Sequence, residues 1–457
     1  MSSTQLDEAP VKSSVVPPRE DSRSHESAPA EERSRGQIES APPTAMTPAS
    51  APSASRTTFL DRWLARRVLS LVRGLPIEVA LWDGEVLSAS NDPVRSRVTI
   101  QSRSTLLSLL FDPSMAFGDG YSRGEITVSG DLVRFFEHLA QANRQAPHWF
   151  DNYRWRWWHW LSPNTRAASK NHIHQHYDLG NEFYRLWLDE QMAYTCAYFS
   201  EPTLELAAAQ RAKFDHVARK LRLKPGDRVV EAGCGWGGLA MHLAREYGVS
   251  VQAYNISHEQ VAFARDRAKS AGLEDRVVFV EDDWRSIDGQ FDAFVSVGML
   301  EHVGPENFRE LGDVIHRSLK PGGLALLHTI GRNLARPIDL WTEKRIFPGG
   351  CPPSLRQMMD IFETRDFSIL DVENLRLHYA RTLECWRDNF ELHTAEVERM
   401  FDANFVRMWR LYLNASIANF RTGWMQLFQV VFCQGQNNAV PWTRADLYEE
   451  PHHARTI

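Results

Sequence analysis

The stretch SVGMLEHVG, Ser296 to Gly304, puts an acid and an imidazole, Glu301 and His302, at the end of an apolar run that reads as a buried strand. Charged groups are costly at such a place unless something there needs them, so the pair marks a spot where a proton or an ion can be handled. His302 either buttresses Glu301 or caps the turn that follows; both readings stay open. Upstream, RVVEAGCGWGG sets Gly233, Gly235, Gly237 and Gly238 after one strand and before a helix, where glycine lets the backbone turn tightly and approach a ligand. Gly233, Gly235 and Gly238 satisfy the GxGxxG spacing, a weak signal that by itself also fits a dinucleotide.

Three neighbours discriminate. Glu231 stands just before the first glycine, where nucleotide-binding strands usually stay apolar. The second strand ends in YNISHEQ, offering Asn255 and Gln260 in place of the acid that usually holds an NAD ribose. The third ends in EDDW, placing Asp283 and Trp284 where an adenine amino group and ring face can be met. Together these favour S-adenosylmethionine, held by the Gly233–Gly238 loop with Trp236 inside it, and with Glu231 anchoring the loop.

The elements that position these residues alternate strand and helix, the pattern of a doubly wound parallel sheet. RVVEAG, SVQAYNI, VVFVEDD, FDAFVSVGM and GLALLHTI read as strands; GLAMHLAREY, EQVAFARDRAKSAG and ENFRELGDVIHRSL read as helices between them. Residues 334–420 read as a helical cap, and QLFQVVF as the closing strand of a catalytic domain spanning 164–435, with a C-terminal tail at 436–457. A small α+β domain is expected over 58–147, as an accessory or lipid-docking unit, with helical TFLDRWLARRVLSLV, STLLSLLF and DLVRFFEHLAQ around strands IEVALW and RVTIQ. Residues 1–57, rich in Ser, Pro, Ala, Glu and Arg, cannot bury enough apolar surface to offset chain entropy and read as a disordered tail, inert or regulatory. The linker at 148–163 contains HWFDNYRWRWWHWL, whose Trp149, Trp155, Trp157, Trp158 and Trp160 lie among Arg154, Arg156 and His159. It is either a helix lying at a membrane interface or an aromatic anchor between domains.

Composition narrows the classes. The 457 residues carry a net charge of −6 and 43% hydrophobic content, with no basic stripe of the kind nucleic-acid binders show. No apolar run reaches the roughly 18 residues of a membrane span, and MSSTQLDEAP lacks the pattern of a signal peptide. Cys196, Cys234, Cys351, Cys385 and Cys433 show neither a disulfide framework nor metal-ligand spacing. A reducing cytoplasm is expected, and no metal.

From about Thr58 to Gln434 the chain resembles the cyclopropane-fatty-acid-phospholipid synthases, a family that includes the mycolic acid cyclopropane synthases. The motifs that carry the likeness are HYDLGNEFYRLWLDEQMAYTCAYF, EAGCGWGG, SVGMLEHVG, LLHTIG, IFPGG, HYARTLECWRDNF and QLFQVVF. FGDGYSRGEITVSGDL is similar to the signature of the N-terminal domain of the bacterial synthases. The resemblance implies a Rossmann-like class I methyltransferase fold. It also implies a reaction in which the S-adenosylmethionine methyl adds to a cis double bond of a phospholipid acyl chain, and a carbocation then loses a proton to bound bicarbonate and closes to a cyclopropane. Cofactor contacts implied in this way are Tyr194, Thr195, the glycine loop, Asn255, Ile256, Gln260, Asp283 and Trp284. Bicarbonate contacts implied in this way are Cys196, Glu301, His328, Ile330 through its backbone, and Tyr379. Many relatives carry a cysteine where this chain has Ser416, which argues against covalent cysteine catalysis there; the cysteines other than Cys196 read as buried filler. Substrate in a bilayer implies a peripheral visitor to the inner membrane face, and a homodimer stays open. Competing readings are a migrated carbocation giving a methylene- or methyl-branched chain, an N-methyltransferase of small amines, and a non-enzymatic lipid-binding protein.

Overall fold

The computed structural model describes residues 56–145 and 179–448 apart from 71, 73, 91, 92 and 436. The tail to residue 55, the tryptophan-rich linker and the last residues of the chain lie outside the described residues.

The first described part is a four-stranded sheet with helices. Its elements are α1 (Phe59–Ser70), β1 (Ile77–Ala80), β2 (Val86–Ser88), β3 (Ser96–Ile100), α2 (Arg103–Phe111), α3 (Pro113–Arg123), β4 (Ile126–Ser129) and α4 (Leu132–Gln145). Strand order is β2-β1-β3-β4, with β1 and β3 parallel and the other pairs antiparallel. Helix α3, absent from the sequence reading, has a clear start and stop: Asp112 caps its first turn, Pro113 follows, and Gly124 ends it in the left-handed region. Gly118 and Gly120 inside it lower its helical propensity, which is why the pattern hid it. Thr57, placed in the tail by composition, bonds Asp83 through its amide at 2.7 Å.

The second part is built on a seven-stranded sheet. In chain order come α5 (Asn181–Arg185), α6 (Leu206–Leu221), β5 (Arg228–Ala232), α7 (Gly238–Tyr247), β6 (Ser250–Asn255), α8 (His258–Ser270), β7 (Val277–Glu281), β8 (Phe291–Val297), α9 (Phe308–Ser318) and β9 (Leu319–Gly331). Then follow α10 (Leu340–Arg345), α11 (Leu355–Glu363), β10 (Phe367–Asn374), α12 (Arg376–Leu392), α13 (Thr394–Met400), α14 (Ala403–Arg421) and β11 (Gln426–Gln434). The sheet runs β10-β11-β9-β8-β5-β6-β7. From β9 to β7 neighbours are parallel, and β11 pairs antiparallel with both β9 and β10. The expected doubly wound α/β sheet is therefore present.

One part of the cap expectation needs correction. Residues 334–420 are not all helix, because β10 lies within them as an edge strand. Asp371 and Glu373, which pair with the buried Lys220, interrupt its sequence, so it lacks the apolar run of the buried strands. The expected C-terminal tail also departs from its reading: Arg444 pairs with Asp371 at 2.5 Å, and the Leu447 carbonyl accepts from Arg219 at 2.9 Å. Among the described residues no helix is long and apolar enough to cross a membrane.

Candidate active site

In an open parallel sheet, ligands sit beyond the carboxyl ends of the strands, and two cavities lie there. The smaller, about 130 Å³, is lined by Glu231, the loop residues Gly233, Gly235, Trp236 and Gly238, Asn255, Ile256, Gln260, Asp283 and Trp284. Gly237 is not among its walls; a Cβ there would meet the Phe279 ring at 2.5 Å, so this glycine serves close helix–strand packing. At Gly235, with φ +52°, a Cβ would meet no protein atom within 4 Å. The loop there is open toward space that a ligand can fill. Asn255 and Gln260 hold each other at 2.7 Å, Nδ2 to Oε1, and Asn255 Nδ2 also donates to the Gly235 carbonyl at 3.3 Å. The second strand's amides thus brace the glycine loop.

Two buried charges face this cavity. Burial pushes the Glu231 carboxyl up to about 7, against the pull of Lys213 and the Ala240 amide, and its Oε2 has no hydrogen-bond partner among the described residues. A cation entering here, such as an amino acid's ammonium, would meet it. Burial pulls the Lys213 ammonium down to about 8, and Lys213 donates to Thr195 Oγ1 at 2.9 Å. Asp283 Oδ1 accepts from the Arg285 amide at 2.9 Å and pairs with its guanidinium at 3.1 Å, while that guanidinium lies 4.3 Å from the Trp284 ring centroid. Acid and indole are thereby fixed side by side at the lip of β7. These residues fit S-adenosylmethionine: an unpaired carboxyl, an open glycine cradle and an acid–aromatic pair.

The larger cavity, about 1000 Å³, meets the smaller at Tyr194, Thr195, Gly298 and His302, which line both. It holds Cys196, Glu301, His328, Ile330 and Tyr379 together, five side chains from four separate segments. Glu301 lies in a short 3₁₀ turn just after β8, and His328 lies on the adjacent β9, paired with Val297. Burial pushes Glu301 up to about 7. Its Oε1 accepts from the Ile330 amide at 2.6 Å and its Oε2 has no partner among the described residues. Ile330's amide is thus spent on Glu301. Burial keeps His328 well below the usual imidazole range, hence neutral. Gln429 Nε2 faces His328 Nδ1 at 3.0 Å, so Nδ1 accepts and the proton sits on Nε2, which has no partner among the described residues. A neutral imidazole and a carboxyl raised to about 7 thus hold unpartnered polar atoms at one end of a greasy space.

Tyr379, on α12, lines the same cavity with its ring 4.5 Å from Phe420. Burial pushes the Cys196 thiol far up; it stays protonated and bonds the Ala197 carbonyl at 3.2 Å, a wall and not a thiolate. His302 lines both cavities near Phe347. Tyr194, which lines both cavities, bonds Tyr412 of the larger one at 2.9 Å through their hydroxyls.

Sequence reasoning missed Lys213, Gln210, Gln429 and Tyr412. Gln210 Nε2 donates to the Ala193 and Thr195 carbonyls at 3.1 and 2.9 Å, so α6 grips the 193–196 loop through two fully buried polar side chains. The available signal was polar residues at apolar helix spacing, since Gln210, Lys213 and Phe214 share the buried face with Val217.

The profile of the mycolic acid cyclopropane synthetase family matches residues 164–430, and a domain family of unknown function matches 64–148. The chain is 37% identical to the cyclopropane-fatty-acyl-phospholipid synthase of Escherichia coli K12, over 77% of this chain and 91% of that one. It is 33% identical to the tuberculostearic acid methyltransferase of Mycobacterium tuberculosis, over 85% and 94% of the two chains. A crystal structure of a mycolic acid cyclopropane synthase complexed with SAH and CTAB superposes with a TM-score of 0.55 at 28% identity, covering 57% of this chain and 97% of that one. The chain belongs to the mycolic acid cyclopropane synthetase family and is an S-adenosylmethionine-dependent methyltransferase.

Proposed function

We propose that the enzyme adds a one-carbon unit to a cis double bond of an unsaturated phospholipid acyl chain and closes it to a cyclopropane, with bicarbonate held beside Glu301, His328 and Tyr379. The observation that carries this reading is the pair of unpartnered polar atoms, Glu301 Oε2 and His328 Nε2, in a large cavity that abuts the cofactor cavity. A space of about 1000 Å³ is at the upper end of the roughly 300–1,000 Å³ of small-molecule sites. It suits a long hydrocarbon better than a small amine.

S-adenosylmethionine supplies an electrophilic methyl group when bound, and bicarbonate a base that carries no greasy side chain. The protein's own residues do the rest. Glu231 and the glycine loop orient the cofactor, and Tyr194 with Tyr412 separates it from the aromatic cap. His328, neutral and with its proton on Nε2, donates toward an anion. Glu301, already raised to about 7, is raised further by a neighbouring anion and then donates as the acid. Buried walls keep water from the reactive centre.

Substrate in a bilayer requires contact with its surface. Phe59, Leu60 and Trp63 of α1 are 73%, 58% and 45% exposed, Phe111 at the end of α2 is 84% exposed, and Arg62, Arg66 and Arg67 lie among the α1 aromatics. Exposed aromatics beside cations suit an anionic membrane face.

A methyl- or methylene-branched product is the second reading, favoured by the likeness to the tuberculostearic acid methyltransferase. Mass spectrometry of phospholipid acyl chains from cells expressing the protein separates them. A gain of CH2 with no added hydrogen that resists mild hydrogenation is the expected ring. A gain that takes up hydrogen, or a saturated branch, overturns the cyclopropane assignment in favour of branching.

A further inference from the structure

No catalytic group has been placed in the small N-terminal domain, yet its core faces the same cavity as Glu301. Ile77 and Val79 of β1, Val98 and Ile100 of β3, Leu109 of α2 and Phe135 of α4 all line it. Each is at most 6% exposed to solvent. A domain core is normally packed to crystal-like density, with few voids larger than a water. This core instead surrounds an apolar space continuous with the active site.

The junction between the two parts is held in place. Phe117 and Gly118 of α3 and Trp341 of α10 line the cavity where it passes from one to the other. Gly118 admits the indole, since a Cβ there would stand 2.3 Å from the Trp341 ring. Arg345 pairs with Asp119 at 2.8 Å, and Arg407 donates to the Ser122 carbonyl at 2.7 Å. The passage is therefore clamped on both sides of α3.

We propose that the interior of the small domain is the distal end of the acyl site. It receives the methyl end of the reacting chain and so sets which chain lengths are accepted. This rests on the acyl-chain reading of the active site. A chain drawn from a bilayer is already in an apolar medium, so length is set by the wall of β1, β3 and α4, where a chain that is too long must overpack the core. The enzyme thus measures length there, remote from the chemistry.

Occupancy is tested with the full chain on vesicles of an unsaturated phospholipid carrying a diazirine at the methyl end of its unsaturated chain. After irradiation, peptide mass spectrometry is expected to find adducts on residues 77–80, 96–100 and 132–140. Adducts confined to residues 340–434 would overturn the proposal. Length selection is tested with Val98→Phe and, separately, Leu109→Phe, each checked by thermal unfolding and by calorimetry with S-adenosylmethionine. In a folded variant, the ratio of turnover on long to short unsaturated chains is expected to fall on the order of tenfold, because a long chain must overpack the filled end. A ratio equal to that of the unmodified protein overturns the measuring role. Should either variant fail to fold, the photolabelling of the unmodified protein still decides. Wild-type protein that makes no one-carbon product sinks the reaction assignment, while the adduct map still reports where a chain lies.

Discussion

Around the smaller cavity most walls come from short stretches at the ends of β5, β6, β7 and β8, joined by the 191–195 loop and α6; around the larger they are gathered from α1 to β11. The first site works through backbone: a turn with positive φ at Gly233, Gly235 and Gly237, and amides bracing the loop. The second works through side chains delivered by tertiary packing, including a carboxyl from the turn after β8 and an imidazole from the adjacent β9 that line the same cavity. Each has one buried carboxyl raised to about 7, Glu231 or Glu301. The contrast teaches that one fold can separate binding of the methyl donor from handling of the proton, so the two should fail independently.

The largest effect concerns those carboxyls. Both have folded pKa values raised from 4.5 to about 7 by burial. The unfolded chain ionises first, so their contribution to stability is present below pH 4.5 and is lost as pH rises through about 7. The full loss is about 3 kcal/mol per group. Glu301→Gln and Glu231→Gln should each remove one share of that fall, leaving the ligand-free protein more stable than wild type near neutral pH. Chemical denaturation across this pH range checks it. A variant whose pH slope matches wild type would mean that the carboxyl is not desolvated.

Next in size is Gly235→Val. The side chain enters open space in the cofactor cavity, so the fold survives a strain of about 1–2 kcal/mol. Affinity for S-adenosylmethionine should fall on the order of 100-fold, about 2.8 kcal/mol. Calorimetry on the folded variant reads it; undiminished affinity would take the cofactor away from this loop.

Gln429→Leu acts only on the other side. Without its amide, His328 Nδ1 loses the donor that keeps the proton on Nε2. Turnover should drop about tenfold, the upper end of what one neutral hydrogen bond contributes, and its pH profile should shift, while cofactor affinity holds. Parallel losses in rate and affinity would instead point to general damage.

Ser416→Cys is the smallest. Ser416 lines the larger cavity, and a thiol there should change turnover by no more than about twofold, since Cys behaves as a small hydrophobe when buried. A large gain would restore cysteine chemistry to this position.

The two regions also differed in how far sequence could reach them. Glycine loop, Asn255–Gln260 and Asp283–Trp284 are local patterns that follow short strands marked by Val, Ala and Phe, and each strand of the parallel half was legible. Edge strand β10 was not, because Asp371 and Glu373, paired with Lys220, break its apolar run. Glu301 could be named because it ends an apolar run, and His328 only through the family resemblance. Gln429 could not, because its role arises only from the register of β11 on β9, which pairs it with His328. The void inside the small domain is further still from the sequence: Val79, Val98 and Leu109 look like ordinary core residues, and only the packing shows what they surround.

The separation of donor binding from proton handling is tested most directly in Glu301→Gln. Methyl-transfer turnover and S-adenosylmethionine affinity are measured side by side, with bicarbonate removed and then restored. Loss of a preorganised group of this kind slows catalysis by roughly 100- to 1,000-fold, and that fall is predicted with cofactor affinity nearly unchanged. Wild-type turnover should drop on bicarbonate depletion and recover on its return. Equal loss of rate and affinity in the variant, or wild-type turnover indifferent to bicarbonate, would contradict the account.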